Sequence, residues 1–246
     1  MSRTSFYTAA VHAGEDHSEH FGALSVPIYT ASTFAFSDAD EASAIHNEEK
    51  PGYYYGRLGN PTQDALERTI AELENADAAL ALASGMAAVS AAVFTACRSG
   101  GHIVAPESGY STTTNFLHHI AERFGIETTF VDAADAENYR NAIRPNTQLL
   151  WVETPSNPLC RITDIAAVAA IGRAAGALTV VDNTFATPFN QRPLELGADA
   201  CIHSATKYLG GHSDLTAGVL AGGSEFVTAA RNGANKFYGG SIAPQV

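Results

Sequence analysis

The chain has 246 residues, 46% of them hydrophobic and 16% charged, with a formal net charge of -12. That length and apolar content suit one large domain or two small ones around a sizeable core, and they exclude a disordered chain. The negative balance excludes nucleic acid or an anionic membrane as the main partner, so any anion site must be built locally.

Residues 1–60 are rich in turn formers and aromatics, including Pro27, Pro51-Gly52, Tyr53-Tyr54-Tyr55 and Gly59-Asn60-Pro61, and show little periodicity. A long irregular arm of this kind seldom packs on its own domain alone, so it is expected to embrace a neighbouring subunit. Its start, Met1-Ser2-Arg3-Thr4-Ser5, lacks the apolar core of a signal peptide. From Pro61 the pattern changes. Leu66, Ile70 and Leu73 share one face of a helix expected over residues 62–75, with Glu67, Glu72 and Glu74 outside.

Ala78 to Cys97 contains no charged residue and is about long enough to span a bilayer. It is mostly alanine and Ser84-Gly85 interrupts it, so a buried strand (Ala78 to Ala83), a tight turn and a buried helix (Met86 to Cys97) are expected instead. Further strands follow at His102 to Ala105, Ile126 to Val131, Leu149 to Glu153, Leu178 to Val181 and Ala200 to Ser204. Helices are expected over 111–124, near 136–143 and over 165–175. This alternation implies an α/β fold with a mostly parallel sheet covered by helices, and neither an internal repeat nor a linker divides it.

The strand at Leu178 delivers Asp182-Asn183-Thr184 at its carboxyl end, where ligands sit in such sheets. The next strand runs into Ser204-Ala205-Thr206-Lys207, placing Lys207 on a loop beside Asp182. Walled by Tyr208 and Leu209, that amine suits a partly desolvated nucleophile toward a carbonyl, and the hydroxyls of Ser204 and Thr206 suit a phosphate. An aspartate facing such a lysine can pair with a protonated ring nitrogen, as in a pyridoxal phosphate site. Gly85, between strand and helix, lets the backbone approach a phosphate at the first-turn N–H groups. Tyr110 follows another strand onto the same edge, where it could stack on a ring and exchange protons. The histidines show no HExxH or paired-ligand spacing, and no metal site is expected; His203 and His212 are read as structural. Cys97, Cys160 and Cys201 lie far apart without CxxC spacing, which indicates a reduced, cytoplasmic protein.

ETPSNP (Glu153 to Pro158), VVDNTFATP (Val180 to Pro188) and HSATKYLGGHSD (His203 to Asp214) resemble the Cys/Met-metabolism family of pyridoxal-phosphate enzymes. That family includes cystathionine γ-synthases, cystathionine and methionine γ-lyases and homoserine-ester sulfhydrylases. The likeness runs from Ala10-Val11-His12-Ala13-Gly14 to Gly239-Gly240-Ser241-Ile242-Ala243-Pro244. It implies a fold-type I large domain over 61–246 behind an N-terminal arm over 1–60, pyridoxal 5'-phosphate as cofactor, and trans-sulfuration chemistry: γ-elimination or γ-replacement on a small amino-acid substrate.

By the same resemblance Lys207 carries the cofactor and removes the α-proton, Asp182 holds the ring nitrogen, Tyr110 stacks, Asn157 lies near the ring hydroxyl, and the backbone of Gly85 and Met86 holds the phosphate. Tyr55 and Arg57 would reach a partner's phosphate across the interface of a homodimer or homotetramer. Two departures stand out. Ser111-Thr112-Thr113-Thr114-Asn115 after the tyrosine matches no subgroup well, so the substrate stays open. The smaller C-terminal domain, source of the arginine that grips the substrate carboxylate in the family, is expected to be absent. A catalytically inactive cofactor-binding or assembly module is therefore the alternative, and the missing GxGxxG argues against a dinucleotide domain.

Overall fold

The computed structural model describes residues 5–246, so the signal-peptide reading of Met1 to Thr4 lies outside the described residues. Short apolar runs bounded by turn formers become seven strands: β1 (Ala78–Leu82), β2 (His102–Pro106), β3 (Glu127–Val131), β4 (Thr147–Glu153), β5 (Leu178–Asp182), β6 (Ala200–His203) and β7 (Gly218–Gly222). They join in one sheet in the order β1-β7-β6-β5-β4-β2-β3. β7 runs antiparallel to both its neighbours, and all other pairings are parallel. All strands except β7 therefore point their carboxyl ends to one edge.

The helices among the described residues are α1 (Phe6–His12), α2 (Ala39–His46), α3 (Pro61–Glu74), α4 (Gly85–Ala96), α5 (Ser111–Asn115), α6 (Ala136–Ala142), α7 (Ile165–Ala175), α8 (Thr187–Asn190), α9 (Ser224–Ala230) and the short α10 (Lys236–Tyr238). Apart from the partly exposed edge strand β3, the strands are buried on both faces, as parallel strands are when helices cover both sides. Along β4, Leu149 and Trp151 join Val89 and Val93 of α4 in one core, while Leu150 and Val152 join Ile70 of α3 and Val168 and Ile171 of α7 in the other. Each such side chain, fully buried, contributes roughly 1.5–3 kcal/mol.

Ala78 to Cys97 folds as strand, turn and helix, and among the described residues no helix is long and apolar enough to cross a membrane. The helix expected over 111–124 is α5 continued by a π-helical turn (Phe116–Ala121) and a 3-10 turn (Glu122–Phe124). β7 was not foreseen, because Gly-Val-Leu-Ala-Gly is short and its end glycines read as loop.

Two charge assignments on α3 are corrected. Glu67 and Glu74 point inward, at 8% and 0% exposure, and only Glu72 stays outside. Buried carboxylates persist when their oxygens are bonded. Glu67 accepts the Ala81 N–H at 2.8 Å and pairs with Arg231 at 2.5 Å, while Glu74 uses Oε1 alone, accepting from Asn183 at 2.9 Å and bonding His203 at 2.5 Å, and leaves its buried Oε2 without a hydrogen bond.

The arm holds more regular structure than its sequence suggests: α1, α2 and a 3-10 turn (His17–His20). It lies against its own α3, where the Thr69 hydroxyl donates to the Ala13 carbonyl at 2.6 Å and the Tyr29 N–H to the Thr62 hydroxyl at 2.9 Å. Gly14, at φ +78°, makes this contact possible, since a Cβ there would sit 2.1 Å from the Ala65 carbonyl oxygen. Tyr7, Val11, Phe21, Leu24 and Ile28 of the arm remain exposed.

Candidate active site

A cavity of about 240 Å³ opens at the carboxyl edge of the sheet, lined by Ser84, Gly85, Met86, Tyr110, Glu153, Asn157, Asp182, Thr184, Ser204, Thr206 and Lys207 among others. Five strands feed it. β1 leads through Ser84 into α4, β2 leads to Tyr110, β4 ends in Glu153 and the turn holding Asn157, β5 ends in Asp182, and β6 leads to Lys207.

Asp182 is 8% exposed, and its Oδ1 accepts both the N–H and the hydroxyl of Thr184, at 3.0 and 2.5 Å. The same Thr184 oxygen accepts the Ser204 N–H at 2.9 Å, which ties the ends of β5 and β6 together. Burial raises the pKa of Asp182, and the Thr184 bonds oppose this only in part. A buried acid so placed is held ionised by a cation beside it.

After β6, the Lys207 N–H donates to the Ser204 carbonyl at 3.0 Å, closing a turn that brings the lysine to the cavity. Lys207 is exposed and Tyr208 is 65% exposed, so the desolvating wall expected around the amine is not supplied by the described part of this chain. Thr206 lines the cavity, but its hydroxyl donates to the Ala217 carbonyl and accepts the Ala217 N–H, at 3.1 and 3.0 Å. Ser204 is the hydroxyl placed against the helix start.

α4 begins there. Ser84 caps it by accepting the Ala87 N–H at 3.1 Å, and the N–H groups of Gly85 and Met86 are first-turn donors without partners inside the helix. A Cβ on Gly85 would fall 2.7 Å from the Cβ of Ser204, so only glycine lets the helix end approach the lysine loop this closely. Tyr110, 42% exposed, stands at the start of α5, and Thr113 behind it is buried.

Glu153 is the cavity residue that sequence reasoning missed. The same signal that singles out Asp182, a carboxylate closing an apolar strand, was present in Leu149 to Glu153. Its Oε2 accepts the Tyr110 N–H at 2.8 Å and its Oε1 the Asn157 N–H at 2.7 Å. Burial and the neighbouring Asp182 push its pKa up to about 7.

Tyr55 and Arg57 are not brought to this cavity. Arg57 donates to the Lys236 carbonyl at 2.5 Å, and Tyr55 pairs with Thr33. A larger hollow of about 490 Å³, between the arm and α3, contains none of the expected cofactor residues. Two of its acids are engaged, Asp64 by the Tyr53 hydroxyl and Glu67 by Arg231. Glu74, Cys201 and His203 gather within 4.8 Å in the core. Glu74 there is already held by His203 and Asn183, and burial drives the Cys201 thiol well above its usual range, so the trio completes a buried hydrogen-bonded core.

The fold is that of a fold-type I pyridoxal-phosphate-dependent enzyme: the crystal structure of metB from Corynebacterium glutamicum matches with a TM-score of 0.92 at 40% identity, over 98% of this chain and 61% of that one. The chain belongs to the family described as Cys/Met metabolism PLP-dependent enzyme, whose profile matches residues 7–246. It is 42% identical to L-methionine gamma-lyase of Treponema denticola over 99% of its own length and 61% of that protein's. It is 43% identical to cystathionine gamma-lyase of Bacillus subtilis, over 97% of this chain and 60% of the other. The chain thus spans about three fifths of these relatives.

The residues present fit the family's cofactor. An amine, a buried acid in want of a cation, a helix N-terminus cleared by Gly85 and an aromatic ring surround one cavity.

Proposed function

We propose that this chain is the cofactor-binding part of a trans-sulfuration enzyme that carries out γ-elimination or γ-replacement on a homoserine-derived, methionine-type or cystathionine-type amino acid. The observation that carries this reading is the convergence of Lys207 and the buried Asp182 on one cavity beside the N-terminus of α4. Pyridoxal phosphate, when bound, supplies a ring that withdraws electrons from the α-carbon of an amino acid.

The chain's own residues do the rest. Gly85 and Met86 offer N–H groups to the phosphate, Ser204 its hydroxyl, and Asp182 keeps a proton on the ring nitrogen. Lys207 Nζ would hold the cofactor and, once the substrate's amino group has displaced it, would be free to take the α-proton, while Tyr110 would cover the ring and pass a proton to the departing group. Asn157 orients the ring hydroxyl and the substrate carboxylate.

We assign residues 1–60 as an arm and 61–246 as the cofactor-binding domain. Tyr55 and Arg57 lie outside their own chain's cavity, which supports a homodimer or homotetramer with sites shared across an interface. The three free cysteines support a reduced, cytoplasmic setting.

The test is release of a 2-keto acid and ammonia from γ-substituted amino acids in the presence of pyridoxal phosphate. Turnover supports the enzyme reading. Cofactor binding with no α-proton exchange in deuterium oxide would favour the second reading, an inactive cofactor-binding or assembly module, to which the exposed Lys207 lends weight.

A further inference from the structure

Glu153 uses its two oxygens on two different loops. Oε2 holds the backbone N–H of Tyr110, on the loop between β2 and α5, and Oε1 holds that of Asn157, in the turn after β4. One carboxylate thus joins two walls of the cavity at 2.8 and 2.7 Å. The approach is sterically reserved: a Cβ on Gly109 would lie 2.8 Å from Oε2. Gly109 has no positive φ, so its missing side chain answers the carboxylate and not a backbone need.

We propose that Glu153 is a positioning residue whose ionised carboxylate sets the spacing between the Tyr110 wall and the Asn157 wall, and so the fit of the ring that lies between them. This rests on the reading of the cavity as a pyridoxal phosphate site. A carboxylate has acceptors for both N–H groups, whereas a neutral carboxyl or an amide turns a hydrogen toward one of them and releases that loop.

The ionisable groups that face Glu153 are Asp182 from β5, Tyr139 from α6, and Tyr110 and Lys207 around the cavity. Burial and the Asp182 charge raise its pKa to about 7 against the pull of the two N–H bonds. The clamp is therefore complete above that value and loosened below it.

The test uses the full chain and two variants, Glu153→Gln and Gly109→Ala. Amide hydrogen exchange of Tyr110 and Asn157, corrected for intrinsic rates, is measured without cofactor, and affinity for pyridoxal phosphate is measured by spectral titration. In the unaltered chain the protection of at least one of the two amides is expected to fall as pH drops through about 7. Glu153→Gln should lose that dependence and bind pyridoxal phosphate about tenfold more weakly at pH 8. Gly109→Ala should free the Tyr110 amide while leaving that of Asn157 protected, and it keeps the test open if Glu153→Gln fails to fold. Unchanged exchange at Tyr110 in Gly109→Ala, or unchanged exchange and affinity in Glu153→Gln, would overturn the proposal. If the unaltered chain binds no pyridoxal phosphate, the reading of the cavity fails, and the exchange measurements still decide whether Glu153 clamps the loops.

Discussion

Glu153 and Asp182 are register partners at the carboxyl ends of β4 and β5, so two buried carboxyl groups stand side by side at the mouth of one cavity. Burial raises both pKa values, and Asp182 raises that of Glu153 further. Lys207 lines the same cavity, and a protonated ring nitrogen would meet the charge of Asp182.

The pair gives the fold a pH dependence of defined sign. Glu153 rises from an ordinary 4.5 to about 7 on folding, so its contribution to stability is present below 4.5 and is lost as pH rises through about 7. Thermal unfolding of the cofactor-free chain should give a higher midpoint at pH 6.5 than at pH 8, and Glu153→Gln should flatten this difference. Below 6.5 the buried His102, whose pKa burial lowers, acts in the opposite direction, because its contribution is lost as pH falls. An unfolding midpoint that climbs steadily with pH from 6.5 to 8 would refute the assignment.

Asp182→Asn should leave the fold intact, since an amide can still accept from Thr184. Its neutral oxygen cannot hold a ring nitrogen protonated, and α-proton exchange of a bound amino acid should fall by roughly ten- to a hundredfold, the scale of one charged hydrogen bond. Proton NMR in deuterium oxide reads this directly. Unchanged exchange would remove Asp182 from the site.

Gly85→Ala should act through geometry alone. The added methyl must displace Ser204 or the first turn of α4, which costs about 1–3 kcal/mol and weakens phosphate binding. Denaturant unfolding and a pyridoxal phosphate titration measure the two effects separately.

Glu74→Ala should destabilise the chain by about 2–5 kcal/mol, because His203 and Asn183 lose a buried acceptor together. Glu72→Ala, on the exposed side of the same helix, should stay within about 0.5 kcal/mol in a denaturant titration.

The sheet was legible because parallel strands buried on both faces read as uninterrupted apolar runs, and Val180-Val181-Asp182 shows both the strand and its polar end. The placement of Lys207, Asp182, Gly85 and Tyr110 at one cavity was legible for the same reason, since all follow strand ends on one edge, whereas Asn157 came from the family resemblance alone. Glu74 was misread because helical periodicity places a residue on a face but does not reveal that His203 and Asn183, far along the chain, bring donors to it. Glu153 carries the same strand-end signal as Asp182, but its role as a bridge stays hidden in the sequence because its partners are the backbone N–H groups of Tyr110 and Asn157. The exposure of Lys207 was hidden by its apolar neighbours, since Tyr208 turns outward.

Sharing of the site between copies can be tested by complementation. Arg57→Ala and Lys207→Ala chains should each fail to form a complete site alone. Mixed in equal amounts, they should recover about a quarter of the trappable cofactor, because half of randomly formed dimers are mixed and each holds one intact cavity. No recovery would place Arg57 elsewhere.

The most direct test is to add pyridoxal phosphate to the purified chain, record the visible spectrum before and after borohydride, and map the reduced peptide. The account predicts a visible band that borohydride abolishes, with the label fixed on Lys207 and absent from Lys207→Ala. A labelled Lys207→Ala chain, or no band in the unaltered one, would contradict it.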